Sequence, residues 1–120
     1  MERTRNRGVK RLIAALGNSW SGFRLAFKSE EAFRQEVYLA ILLVPVALFS
    51  GKQPVEIALL LSGLFAVLIT EMLNSAIECA IDRISEDFHD LSKASKDIAS
   101  AAVLLSLFYC LIVWIIIFFV

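Results

Sequence analysis

The sequence predicts an all-α integral membrane protein, with one amphipathic surface helix and three membrane helices per chain. Three observations carry that expectation. Hydrophobic residues make up 58% of the 120 residues, with a mean hydropathy of +0.72. A globule this small cannot hide that much apolar surface from water. Residues 98–120 carry no charge at all. The basic residues collect in two segments separated by apolar stretches. This pattern excludes a soluble globular protein and a disordered one. The net charge of zero, from 12 Lys+Arg against 12 Asp+Glu, by itself says nothing about partners; no nucleic-acid partner is expected.

The chain reads as a single membrane domain, 1–120, with a surface helix at about 9–28 and spans at about 33–51, 55–84 and 97–120. In the first helix Val9, Leu12, Ile13, Leu16, Trp20, Phe23 and Phe27 recur at helical spacing on one face. Arg11, Asn18, Ser21 and Arg24 take other faces. A basic amphipathic helix with a central Trp lies in the interface rather than crossing it. It is either a juxtamembrane anchor or a cover over a lipid site. No long apolar run follows the basic N-terminus, so no secretory signal is expected.

The uncharged cores of the first two spans, 37–51 and 57–70, are short. Each reaches the bilayer thickness by taking in a flanking turn, with Arg34 or Lys52 snorkelling to the interface. Glu36 and Glu71 then need polar company. The third span is the clearest, because 23 uncharged residues reach roughly 34 Å as a helix. With the N-terminus cytoplasmic, residues 1–36 and 82–97 place eleven Lys+Arg inside, against Lys52 outside, a strong positive-inside bias. Cys79 and Cys110 fall in apolar helical stretches without metal-ligand spacing and read as packing residues.

Residues 71–84 carry the chemistry. At about 100° per residue, Glu71, Ser75, Glu78 and Asp82 share one stripe, with Asn74 on its flank. Carboxylates at membrane depth are costly and usually functional. The bland alternative is that Glu78 and Asp82 sit at headgroup level and pair with Arg83 or Lys96. Glu71 is furthest in and has no basic residue within two turns of sequence. Glu30, Glu31 and Glu36 precede or open the first span. The 85–97 segment, read as a loop, adds His89, Lys93, Lys96 and Asp97, although His89, Lys93, Lys96 and Ser100 are spaced for one helical face. A Lys at a span mouth can meet a phosphate, and an Asp beside it can orient that Lys or accept from a nucleotide. Several carboxylates, an amide and a Lys at the cytoplasmic interface suit Mg²⁺ with a polyphosphate. No P-loop or protein-kinase signature occurs. The residues by themselves lead to metal-dependent chemistry on a membrane substrate, with or without a nucleotide. A non-enzymatic cation or proton pathway lined by Glu71 and Glu78 stays open at this point.

The stretch Glu71-Met72-Leu73-Asn74-Ser75-Ala76-Ile77-Glu78, together with Asp82-Arg83-Ile84, His89, Leu91-Ser92, and Lys96-Asp97 followed by Ser100-Ala101-Ala102-Val103-Leu104, resembles the small membrane-integral bacterial diacylglycerol kinases. Ala32-Phe33-Arg34-Gln35-Glu36 and Ser19-Trp20 with Gly22 and Arg24 extend the likeness from about Arg11 to the C-terminus. The resemblance implies a homotrimer of the bacterial inner membrane, with sites between neighbouring subunits. It implies Mg²⁺-dependent transfer of the γ-phosphate of ATP to the primary hydroxyl of diacylglycerol, giving phosphatidic acid. Carried over by residue, Glu71 resembles the general base, and Glu30 and Glu78 the metal ligands. Asn74, Lys96 and Asp97 resemble members of the catalytic and ATP site, with Arg11 and His89 as further nucleotide contacts. Ser19, Trp20, Arg24, Gln35 and Ser100 resemble lipid-side residues, joined by Glu71 at the acceptor. The chain departs from the usual pattern at Asn18, Phe88, Lys93-Ala94 and Ala99. A related group with the same core motif phosphorylates undecaprenol and is the alternative within this class.

Overall fold

The structure, a computed structural model, describes residues 8–120. Arg3, Arg5 and Arg7 of the basic N-terminal stretch lie outside the described residues. Four α-helices make up the described chain: α1 (Val9–Ser29), α2 (Glu31–Leu48), α3 (Pro54–Ile84) and α4 (Asp90–Phe119). Of these, α3 and α4 are long and apolar enough to cross a membrane. α2 is shorter, at 18 residues, and carries Glu31, Arg34 and Glu36 in its first turns.

Each junction has a local chemical cause. α1 ends where Glu30 turns extended, at φ −112° and ψ 107°. Its last carbonyls would otherwise lack partners. Arg34, one turn into α2, donates from Nη1 to Phe27 O at 3.0 Å and to Lys28 O at 2.8 Å. Arg34 therefore closes the elbow between α1 and α2 instead of reaching out to the interface. Phe27 meets Tyr38 edge-on, with ring centroids 5.8 Å apart, on the same elbow. Between α2 and α3 the chain reverses at Gly51, whose φ of 74° suits a residue without a Cβ. The Glu56 carboxylate accepts from the Gln53 backbone N–H at 3.3 Å, starting α3.

The connection from α3 to α4 is shorter than the loop read from the sequence. It spans only 85–89, and residues 90–97 are already helical. The physical reason is a cap: His89 Nδ1 accepts from the Leu91 backbone N–H at 3.1 Å, satisfying a donor at the helix start.

α3 and α4 pack along most of their length. Gly63 faces Cys110 so closely that an added Cβ would stand 3.0 Å from the Cys110 Cα and Sγ. Hydroxyl and amine groups tie the rest: Thr70 Oγ1 donates to Ser106 Oγ at 2.8 Å, Ser62 and Tyr109 share a hydrogen bond of 3.0 Å, and Trp114 Nε1 donates to Leu60 O at 3.1 Å. Close approach through small residues, with polar groups satisfied across the seam, is how helices associate without a hydrophobic drive. The buried apolar set is small: Phe33, Ala47, Leu60, Leu64, Val67 and Ala99. Large apolar side chains otherwise stay exposed along all four helices, a surface that fits lipid or further protein rather than water.

Candidate functional site

The row read on 71–84 begins inside this small core. Glu71 is 7% exposed and, among the described residues, the one buried ionisable side chain. α3 holds it one turn beyond buried Val67, so helical periodicity alone turns it inward. Across the seam, α2 brings Glu36 within hydrogen-bond reach of Glu71. Two carboxyls at that range need a shared proton or a nearby cation, because ionised carboxylates are acceptors only. Glu36 Oε2 is buried with no hydrogen-bond partner. Glu30 and Glu78 both lie near enough to act electrostatically on Glu71.

One turn further along α3, Asn74 Nδ2 donates to Glu78 Oε1 at 3.2 Å. That bond leaves Asn74 Oδ1 buried and unpartnered, as is Ser75 Oγ. The result is an acidic strip from the α1–α2 elbow along the C-terminal half of α3, with three buried oxygens, Glu36 Oε2, Asn74 Oδ1 and Ser75 Oγ, without a hydrogen-bond partner among the described residues. This donor set fits Mg²⁺, a hard cation that takes one or two carboxylates and fills its remaining positions with water and phosphate oxygens. Among the described residues no three His, Cys, Asp or Glu side chains close around one point, and an Mg²⁺ site completed by phosphate needs no such cage.

A second group stands at the turn between α3 and α4. Lys96 Nζ donates to Asp82 Oδ1 at 2.6 Å, joining the two helices. Lys93 Nζ donates to Asp97 Oδ2 at 2.6 Å along α4. These four residues, with His89, line a groove of about 410 Å³. Lys96 lies outside the uncharged span, and its hydrogen bond to Asp82 raises its pKa above the ordinary lysine value.

A third group lies at the elbow. Trp20, 65% exposed, and Arg24 border an apolar groove of about 780 Å³ that Phe27 and Phe33 also line. The chain thus gathers Glu30, Glu71, Asn74 and Glu78 on one strip, His89, Lys96 and Asp97 in one groove, and Trp20 with Arg24 in another. Arg11, Ser19, Gln35 and Ser100 are exposed and line none of these three. Ser19 Oγ bonds its own helix, at Ala15 O.

Glu36, Asp82 and Lys93 were left without a site role by the sequence reading. For Glu36 the signal was there: two carboxylates inside neighbouring spans, each in need of polar company. For Asp82 the structure shows one arm of the bland alternative, the pairing with Lys96, whereas the meeting of Lys93 with Asp97 is a choice among lysines and aspartates that spacing leaves open.

Comparison with known proteins agrees with the motif. A family profile described as prokaryotic diacylglycerol kinase matches residues 17–118. The diacylglycerol kinase of Escherichia coli (strain K12) is 43% identical over 107 residues, covering 89% of this chain and 88% of that protein. That of Pseudomonas aeruginosa is 44% identical, covering 89% and 87%. That of Helicobacter pylori (strain 26695) is 40% identical over 108 residues, covering 90% and 84%. With a matching profile over most of its length, and relatives this similar along nearly their whole chains, the chain belongs to the prokaryotic diacylglycerol kinase family.

Proposed function

We propose that this chain is an ATP-dependent diacylglycerol kinase of a bacterial inner membrane, working as a homotrimer. The observation that carries the reading is Glu71: a carboxylate in a core position, beside Glu36, heading a strip that runs to Glu78. A structural core would place a hydrocarbon there.

In this reading α1 lies in the interface, while α2, α3 and α4 cross the bilayer with the N-terminus cytoplasmic. α3 has 31 residues and α4 has 30. At about 1.5 Å per residue each is roughly 45 Å long, against a hydrocarbon core of about 30 Å. The excess lets the acidic end of α3 and the start of α4 stand among headgroups, where a soluble nucleotide and a lipid alcohol can meet. Trp20 and Arg24 border the groove by which the lipid approaches, and Ser19, Gln35 and Ser100 complete the lipid side.

Glu71 takes the proton from the primary hydroxyl of diacylglycerol. The freed oxygen attacks the γ-phosphorus of ATP, and the bond to the β–γ bridging oxygen breaks, leaving ADP and phosphatidic acid. Glu30 and Glu78 would hold Mg²⁺, which offsets the negative charge of the phosphates when bound. Asn74 orients Glu78 through their hydrogen bond. Lys96 meets the phosphates, Asp97 and His89 meet the nucleotide, and Arg11 reaches it from α1. A carboxylate sheltered from water is a suitable base for an alcohol, and positioning with charge neutralisation supplies most of phosphoryl transfer.

The deciding experiment uses the purified full chain in phospholipid vesicles with labelled ATP and a panel of lipid alcohols. Label is expected in phosphatidic acid and only when diacylglycerol is present. Transfer confined to undecaprenol, or ATP hydrolysis independent of any added lipid alcohol, would refute the assignment.

A further inference from the structure

Among the described residues the strip and the α3–α4 groove are joined by a cross-helix contact between Asp82 and Lys96; Asp82 stands in the stretch that carries the family resemblance, but the proposed chemistry gives it no role. Asp82 stands four residues beyond Glu78 on α3, so it lies one turn further along the same face. Its Oδ1 accepts from Lys96 Nζ at 2.6 Å. The groove's other basic and imidazole groups are engaged elsewhere: Lys93 with Asp97, and His89 Nδ1 with the Leu91 N–H. Asp82 is therefore the group that decides where the Lys96 ammonium sits.

We propose that Asp82 is a positioning residue for the phosphate donor, holding the Lys96 ammonium at the groove mouth one turn beyond Glu78 so that its remaining N–H donors point to the phosphates. A lysine side chain free in water samples many rotamers, and ordering it on binding opposes affinity by about 0.5–1.5 kcal/mol. An ammonium has three donors, and one spent on Asp82 leaves two for phosphate oxygens. The carboxylate also keeps Lys96 charged, in line with its raised pKa. The inference rests on the reading of Lys96 as a phosphate contact.

The test is steady-state turnover of the full chain in vesicles, with ATP and diacylglycerol varied separately. Asp82→Asn keeps the shape and removes the charge. It is expected to lower kcat/KM for ATP about two- to tenfold, the range that ordering one such side chain spans. KM for diacylglycerol and the melting temperature stay unchanged, and Asp82→Glu recovers part of the loss. In a Lys96→Gln background, Asp82→Asn has no further effect on ATP use. Additive effects of the two substitutions overturn the positioning role, as does an Asp82→Asn chain with unaltered ATP use. So does an Asp82→Asn chain that melts early and loses both substrates alike, which makes Asp82 a structural strut. A Lys96→Gln chain with unaltered ATP use refutes the phosphate contact itself and the positioning role with it.

Discussion

Glu71 and Glu78 sit two turns apart on one helix and are expected to fail differently when neutralised. Glu71→Gln keeps size and hydrogen bonding but cannot take a proton. Loss of a general base is worth about 10²–10⁴-fold in rate, so phosphate transfer should fall by that factor while ATP still binds, which nucleotide titration checks. Glu78→Gln instead removes the negative charge of the proposed metal ligand. Its turnover should need more Mg²⁺ for half-maximal rate, and an unshifted Mg²⁺ titration would remove it from the metal site. Lys96 sets a pH limit. Because its folded pKa is raised, its ion pair with Asp82 is fully present below the ordinary lysine range and is lost as pH rises through the raised value. ATP use should therefore persist above the usual lysine titration, and Asp82→Asn should bring the alkaline fall to lower pH.

At the scale of the helices, the α3–α4 seam is set by one close approach. A Cβ on Gly63 would stand 3.0 Å from the Cys110 Cα and Sγ, so Gly63→Ala requires the seam to give by a few tenths of an ångström and is expected to overpack it. Overpacking of this kind costs about 1–3 kcal/mol, which thermal melting in detergent measures against wild type. The acidic row of α3 was legible in the sequence because helical period fixes which residues share a stripe. The meeting of Glu36 with Glu71 was not, since it depends on how α2 rotates against α3, and both helices are apolar on several faces. Nor was the early start of α4. The charged residues 90–97 looked like a loop by polarity, whereas the His89 cap makes them the first two turns of a helix. Arg34 shows the same limit: its sequence position suits the interface, but the open carbonyls at the end of α1 lie nearer.

For the whole molecule, the contrast between a thin core and a wide apolar exterior points to neighbours. Side chains such as Leu42, Phe65, Leu105 and Ile112 are left largely exposed by the described residues and suit lipid or other copies. Glu71 and Asp82 are eleven residues apart on α3, roughly 16 Å along the axis. Sites shared between copies would let one chain supply the acidic strip and another the lysine groove. Co-assembling Glu71→Gln chains with Lys96→Gln chains, each impaired alone, should then raise turnover above that of either chain by itself, whereas self-contained sites would leave the mixture at the average of the two. The placement of Glu71 in the interior has a last consequence, for durability. Holding a carboxyl in the interior costs desolvation that hydrocarbon of similar size does not incur. Glu71→Leu should therefore survive heating longer than the native chain and yet transfer nothing. Hardiness and turnover are expected to compete at this one position, and a search for heat-resistant variants that ignores activity would discard the proposed base first.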